Sequence, residues 1–434
     1  MPQTIYKNYM LVLLTALLTF NYVDRVALGV VFEDVKLDLH LTDTELGFLS
    51  GIAFALFYSV LGIPIARWAD RGNRVTIVTL TAAIWSVMVA LCAAATGFAQ
   101  LLAIRIGVGV GEAGCIPPAH SLIADYFTRE ERPWAMSVYN QGNNLCLVIG
   151  FFAAGWLNEL YGWRIMFVLI SLPGVILAAL SRFTLEEPRC RTATRIAAAT
   201  RPGCARLEPD TATPLQPSMR KVLGTLWANE TFRHMLYAVS ILWFFGYGIL
   251  QWQPTFFVRS FGLNTAHVGT WFTLSYGLCG LVGTHLGGVW GSRYAANDER
   301  LQLKVIAILN MGFNGVVWPL IYLCHNYHVA LVLMGLGTLG GMAIGGPLFA
   351  TIQTLVPATM RAMSIALVFL FANLIGMGLG PLAAGVLSDA LQPWFGQESL
   401  RYALLALCPG YLWGSWHLWR ASKTVTRDLE GNGY

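Results

Sequence analysis

The sequence predicts an all-α membrane protein with twelve transmembrane helices arranged in two six-helix pseudo-symmetric bundles. Three observations lead to this prediction: the composition, the number of apolar runs, and a single long polar connection near the middle of the chain. Hydrophobic residues make up 56% of the 434 residues and charged residues only 12%, whereas soluble domains carry about 25% charged residues. The mean hydropathy of +0.57 also places the chain among multi-pass membrane proteins.

Twelve apolar runs separated by polar breaks predict the transmembrane helices. A helix needs about 20 predominantly apolar residues to cross the hydrocarbon core of a bilayer. The runs cover 9–31, 46–68, 75–97, 99–124, 134–157, 163–184, 232–257, 266–291, 302–324, 328–355, 362–388 and 400–420.

The connection at 185–231 is polar and basic and contains several prolines, which is typical of a linker. It separates an N-terminal six-helix bundle at 1–184 from a C-terminal six-helix bundle at 232–434, which ends in a short cytoplasmic tail. Equal halves joined by a basic cytoplasmic linker are the layout of transporters built from two repeats. A substrate site is then expected between the halves, near the middle of the membrane.

Basic residues predict the orientation of the chain. Lys7, the arginines of 67–74 and the arginines of 129–132 lie at alternate breaks, while the intervening breaks are acidic or neutral. Cytoplasmic loops of membrane proteins carry an excess of Lys and Arg. We therefore expect both termini to be cytoplasmic and the chain to span a cell (inner or plasma) membrane several times.

The first apolar run contains an acid and a base, Asp24 and Arg25, preceded by Asn21. A charged residue at the centre of a transmembrane helix costs about 2.5–3.5 kcal/mol on insertion scales. A chain that retains such residues is expected to use them. The alternative is that both side chains only connect the first helix to its neighbours.

The fourth run carries Arg105, Gly109 and Glu112 at i, i+4 and i+7, so the three share one face of a helix. One interpretation is a buried ion pair that fixes helix packing. The other is that Arg105 holds an anionic group or tunes a carboxyl while Glu112 titrates, because a cavity that opens to alternate sides changes the proton affinity of an acid. We predict that proton coupling in a central cavity involves Asp24, Arg25, Arg105 and Glu112.

Other types of site are disfavoured by the sequence. The glycines at 109–114 form a GxGxxG pattern, but this lies in an apolar helix without the strand that a dinucleotide site requires. The eight cysteines show no metal-type spacing, and neither a GxxxxGK[ST] motif nor a nucleophile–base pair is evident. We expect no catalytic residues, no metal, no nucleic-acid partner, and no cofactor apart from protons as the coupling ion.

The stretch 66–74 resembles the small-x-x-x-Asp-Arg-x-x-Arg signature of the major facilitator superfamily, although Asn73 replaces its second glycine. The resemblance implies that this loop is a cytoplasmic latch. Asp70 can then lie at the N-terminal end of helix 11, where the helix dipole favours an anion. The predicted latch comprises Asp70, Arg71, Arg74, Asp125 and Arg361.

Within that superfamily the chain resembles the spinster-like lipid transporters and their bacterial relatives. The resemblance rests on residues 21–25, 70–74, 105–113, 123–125 and 162–164, with a looser match at Asn373, 380–381 and 388–389. It implies transport of a sphingolipid- or lysophospholipid-like amphiphile by a proton-coupled monomer. The seventh run is rich in aromatic residues, which form either a core or a cavity wall suited to an apolar tail. The predicted substrate cavity comprises Asn21, Tyr22, Trp243, Tyr247, Gln251 and Asn373.

The chain is therefore expected to be a secondary active transporter that works by alternating access. Small organic anions are the alternative substrates, because the anion–cation symporters share a similar Asn-Tyr-x-Asp-Arg start. A membrane-embedded enzyme is a more distant alternative.

Overall fold

The computed structural model describes residues 3–128, 130–188, 219–295, 298–356 and 360–431, and the ordered secondary structure within these ranges is helical. We number the transmembrane helices as spans 1 to 12. Spans 1 to 6 are formed by Gln3–Val30, by Asp43–Ser50 with Ile52–Arg71, by Arg74–Leu91, by Phe98–Glu112 with Ile116–Tyr126, and by the two parts of Gly142–Thr184.

Spans 7 to 12 follow residue 229. They are formed by Glu230–Phe261, by Thr265–Phe272 through Gly280–Tyr294, by Glu299–Leu309 through Trp318–Leu323, by Tyr327–Met342 with Gly345–Thr354, by Arg361–Phe371 through Gly380–Phe395, and by Ser399–Leu407 with Pro409–Gly431.

The prediction of a twelve-helix membrane protein is confirmed. Nine helical stretches of the described chain are long and apolar enough to cross a membrane. Two of these, Trp134–Thr184 and Met363–Glu430, each contain two spans, and Gly162 (φ 78°) separates spans 5 and 6 in the first of them. Span 8 lies outside these nine stretches and brings the number of spans to twelve. Spans 8, 9 and 11 each contain a π-helical segment. Such segments are frequent at functional sites.

The helix of span 12 continues beyond the predicted apolar run, which ends at residue 420, as far as Gly431. Ala421 and Val425 are buried in a core cluster of the C-terminal half. Thr231 at the start of span 7 also donates through its backbone N–H to Asp428 at 2.8 Å. These contacts hold the polar segment in helical form against span 7. Of the predicted linker, Met219–Ala228 forms a helix, and residues 189–218 lie outside the described part of the chain.

The two halves meet closely at the end of the molecule that carries residues 31–43, which we call the outer end and which is predicted to be extracellular. Glycines permit this approach: Gly155 of span 5 faces Gly269 of span 8, where a Cβ added to Gly269 would lie 2.9 Å from the Cα of Gly155. Gly29 of span 1 similarly lies against Gln251 of span 7. Small residues let transmembrane helices pack with their backbones close together.

Candidate functional site

Two ion pairs connect spans 1 and 4 in the interior of the N-terminal half. Arg105 donates through Nη1 to Oδ2 of Asp24 at 2.7 Å. Arg25 donates through Nε to Oε2 of Glu112 at 2.8 Å, and its Nη2 contacts the same oxygen. The acid and the base that are adjacent on span 1 thus each bind the opposite charge on span 4. From the sequence alone, Arg105 and Glu112 could have paired with each other. In the structure each pairs instead with a residue of span 1, Arg105 with Asp24 and Glu112 with Arg25.

These four side chains lie in a low-dielectric environment. Asp24 and Glu112 are fully buried and Arg105 is 1% exposed, while the side chain of Arg25 is 13% exposed. A buried charge is costly unless it is paired, and removal of one partner leaves the other uncompensated. Two acids and two bases give this cluster no net charge. A proton added to either acid therefore leaves a net charge of +1 in the interior.

Arg25 is the member of the cluster that reaches the other half of the protein. Its guanidinium carbon lies 4.1 Å from the ring centroid of Tyr22, 4.3 Å from that of Phe54 and 5.0 Å from that of Tyr58. Its Nη1 lies 3.5 Å from the sulfur of Met377 in span 11. The position of Arg25 is therefore set both by Glu112 and by the contact between the halves.

Several polar atoms beside the ion pairs have no hydrogen-bond partner among the described residues. They are both amide atoms of Asn21, Oδ1 of Asp24, Nε of Arg105 and Oε1 of Glu112, all of which are buried. A buried polar atom without a partner costs about 1–3 kcal/mol, and such atoms normally bind ordered water or a ligand. The cluster can thus accept a proton or a hydrogen-bonding group at positions that the protein itself does not occupy.

The predicted cavity residues of span 7 extend from this cluster into the C-terminal half. Gln251 donates through Nε2 to the backbone oxygen of Arg25 at 3.3 Å. The ring of Tyr247 packs against that of Trp243 with centroids 5.6 Å apart. Asn373 is half-buried in the π-helical segment Ala372–Leu379 of span 11.

Phe54, Tyr58 and Met377 were missed by the sequence reasoning. Phe54 and Tyr58 are four residues apart on span 2, with ring centroids 5.6 Å apart, and this i, i+4 spacing was visible in the sequence. No sequence pattern indicates Met377, because its contact with Arg25 joins residues 352 positions apart.

The predicted latch is only partly within the described residues. The side chains of Asp70, Arg71 and Arg361 lie outside them. Arg74 is fully buried, and its Nη1 lies 2.7 Å from Oδ2 of Asp125. Arg74 also pairs with Glu187, which follows span 6 and which the sequence reasoning did not include.

No group of three or more His, Cys, Asp or Glu side chains able to hold a metal occurs within the described ranges.

Outside the membrane, burial raises the pKa of the Asp34 carboxyl above its usual value even though Asn158 donates a hydrogen bond to it.

Comparison with known proteins identifies the family of the chain. The family model described as the Major Facilitator Superfamily matches residues 14–410. The chain belongs to the major facilitator superfamily. An MFS-type efflux pump of Mycolicibacterium smegmatis is 30% identical over 95% of this chain and 91% of the relative. The hexuronate transporter of Bacillus subtilis is 26% identical over 85% of both chains.

Solved structures agree with this assignment. A bacterial homologue of the human lysosomal transporter Spinster, in an inward-facing and unoccupied conformation, superposes with a TM-score of 0.83 at 26% identity over 98% of both chains. The D-xylose–proton symporter superposes with a TM-score of 0.65 at 16% identity over 96% of this chain and 97% of the symporter, which shows the shared fold. The resemblance to spinster-like proteins is confirmed. This major facilitator protein is a secondary transporter that works by alternating access, and it is not an enzyme.

Proposed function

We propose that this major facilitator protein couples proton movement to the transport of a lipid-like amphiphile of the sphingolipid or lysophospholipid type. The observation that carries the proposal is the reciprocal pairing of Asp24 with Arg105 and of Arg25 with Glu112. Two buried acids, each with one oxygen lacking a described partner, offer places for a transported proton.

The pairing supplies a route from proton binding to conformational change. A proton on Glu112 removes the charge that holds Arg25, and Arg25 contacts Met377 of the opposite half. Gln251 of span 7 also binds the backbone of Arg25. A ligand shifts a conformational equilibrium only if it binds the two conformations with different affinities. The proton acts in this way by weakening the contact of Arg25 with the opposite half, because that contact depends on how the halves meet. Asp24, paired with Arg105, is the second candidate proton carrier.

The surroundings of the cluster favour an amphiphile over a strongly charged solute. Both arginines are already neutralised by carboxylates, so an anionic substrate would have to displace one of them. Phe54 and Tyr58 present aromatic surface next to the charges, and Tyr247 and Trp243 of span 7 add a further aromatic pair. An amphiphile with its polar head near Arg25 and its apolar tail along span 7 would match these neighbouring charged and aromatic surfaces.

A proton-coupled symporter of small organic anions is the second candidate. The probable galactarate/D-glucarate transporter of Bacillus subtilis is 28% identical over 65% of this chain and 63% of the relative. Protonation of Glu112 would release Arg25 to bind a substrate carboxylate, which gives this candidate a mechanism on the same residues.

We further propose that protons are the only coupling ion, that no other cofactor is needed, and that the protein acts as a monomer. In this proposal both termini lie in the cytoplasm. Two bundles, 1–184 and 232–434, then move relative to each other on a cytoplasmic linker at 185–231.

Flux through the purified protein in liposomes tests the proposal. Lysolipids, sphingoid bases and small carboxylates are supplied separately, with and without a pH gradient, and Glu112→Gln protein serves as the control for coupling. Gradient-stimulated flux of a lysolipid or sphingoid base supports the first candidate. Stimulated flux of carboxylates alone supports the second, and equal flux with and without the gradient rejects proton coupling.

A further inference from the structure

The N-terminus of span 2 lies at the outer end and is only half capped by its own residues. Thr42 accepts a hydrogen bond through Oγ1 from the backbone N–H of Glu45 at 3.1 Å, and Glu45 accepts one from the backbone N–H of Thr42 at 2.8 Å. This reciprocal capping box leaves the N–H groups of Asp43 and Thr44 without partners in their own helix.

Asp389 of span 11 supplies the missing half of the cap from the other side of the molecule. Its Oδ1 accepts from the backbone N–H of Asp43 at 3.1 Å, and its Oδ2 accepts from that of Thr44 at 2.7 Å. A carboxylate at a helix N-terminus gains from two charge-assisted hydrogen bonds and from the helix dipole. The first turn of span 2 is therefore completed by a residue of the opposite half.

An ion network surrounds this cap. The carboxylate of Asp43 accepts from Nη1 and Nη2 of Arg259 at 2.7 and 2.8 Å. It also accepts from Nζ of Lys36 and from Oγ of Ser388, both at 2.7 Å, and Arg259 pairs with Glu33 as well. Asp43 and Arg259 belong to opposite halves, and the side chains of both are at least nine-tenths buried. Asp389 and Thr44 are partly buried, so the cap lies beside this buried ion pair at the edge of the seam between the halves.

The backbones of spans 2 and 11 are in direct contact beneath the cap. A Cβ added to Gly47 would lie 2.9 Å from the Cα of Leu382, and one added to Gly385 would lie 2.8 Å from the carbonyl carbon of Asp43. This packing holds the Asp389 carboxylate in register with the N–H groups of Asp43 and Thr44. Any movement that separates the two helices at the outer end must break both hydrogen bonds.

We propose that Asp389 is a positioning residue for transport, a helix cap supplied across the seam that holds the outer end closed. In each transport cycle the outer end opens, the N–H groups of Asp43 and Thr44 pass to water, and closure restores the cap. The carboxylate acts through span 2 and does not contact the central ion pairs. The inference requires alternating access alone, so it stands independently of the substrate and of proton coupling.

Thr255 provides a place to measure opening of the seam. It is fully buried in span 7, one helical turn before Arg259, and its Oγ1 lies 3.5 Å from the backbone oxygen of Gly29 in span 1. A cysteine at this position reacts with a polar maleimide in proportion to the time that the outer end is open. The parent for the test carries Thr255→Cys and lacks the eight native cysteines.

The experiment compares maleimide reaction rates of purified protein in detergent, with folding checked by size-exclusion chromatography. Asp389→Ala is expected to raise the rate about tenfold or more, since each 1.4 kcal/mol lost from the closed state is a factor of ten. Asp389→Asn, which keeps one acceptor oxygen but loses the charge, is expected to react at an intermediate rate. Glu398→Gln is the matched control, because Glu398 lies at the same end but binds Arg401 and Ser260 within its own half.

The proposal is overturned if both Asp389 variants react at the parental rate, or if Glu398→Gln accelerates the reaction as much as Asp389→Ala. Should Asp389→Ala fail to fold, the comparison between Asp389→Asn and Glu398→Gln decides. Labelling needs no substrate and no pH gradient. Failure here is therefore distinguishable from failure of the proposed proton-coupled transport.

Discussion

Asp24 of span 1 and Arg105 of span 4 form a buried ion pair with a donor–acceptor distance of 2.7 Å, in which Oδ1 of the carboxylate has no partner within the described chain. The adjacent Arg25 binds Glu112 on the same two spans. Each acid is paired with one arginine of the other span. Neither acid can therefore lose its charge without leaving an arginine uncompensated. This linkage is the physical basis for expecting proton binding to change the structure.

Glu112→Gln is predicted to abolish pH-gradient-driven uptake while leaving the protein folded, with a lower Tm because the charge of Arg25 is left uncompensated. Glutamine keeps an oxygen that can accept from Arg25, but it cannot exchange a proton. Uptake is measured in proteoliposomes with an imposed pH gradient. Asp38→Asn is the control, because Asp38 is an exposed acid at the outer end that pairs with Arg164. Full gradient-driven uptake in both single variants, Glu112→Gln and Asp24→Asn, would exclude both acids as proton carriers.

Asp24→Asn is predicted to lower the thermal stability of the protein as well as its coupled transport. Breaking a buried ion pair on one side costs about 3–5 kcal/mol, because the remaining charge is stranded. The double variant Asp24→Asn/Arg105→Met removes that charge and should recover part of the lost stability. Tm in detergent is the measurement. Additive losses in the double variant would show that the two residues do not interact.

Asp70→Ala is predicted to impair transport by changing the balance between conformations, with intrinsic substrate affinity retained. The prediction rests on the position of Asp70 in the superfamily signature and on the affinity of a helix N-terminus for an anion. Transport rate and substrate binding are measured on the same preparation. Asp298→Asn is the control, because Asp298 caps its own helix at Leu301 and asparagine also serves as an N-cap. Loss of affinity for the binding-competent state would instead place the loop in contact with substrate.

Gly269→Ala is predicted to destabilise the contact between spans 5 and 8. The added methyl group would lie 2.9 Å from the Cα of Gly155 and closer still to the backbone oxygen of Phe151. Overpacking of this kind costs about 1–3 kcal/mol, which would appear as a lower Tm. Gly288→Ala, on the same span, meets no atom within 4 Å and should leave the Tm nearly unchanged. Equal Tm values for the two variants would contradict the close packing of this seam.

Much of the molecule follows from local sequence. The twelve spans follow from apolar run length, because a bilayer imposes a minimum length of helix regardless of what surrounds it. The cost of Asp24 and Arg105 in an apolar helix marked them as candidates before their partners were known. Hydropathy did not indicate that the helix of span 12 continues beyond residue 420, because its last turns are polar and are held by Thr231, far away in sequence.

Partner choice required the tertiary structure. The sequence places Arg105 and Glu112 on one face of span 4 but does not specify which side chain each one meets, since that depends on how spans 1 and 4 are rotated against each other. The contacts of Arg25 with Met377, and of Asp389 with the N-terminus of span 2, join residues about 350 positions apart. Hydropathy and spacing act along the chain, whereas ion pairing and helix capping between the halves depend on distances of a few ångströms that only the packed structure sets.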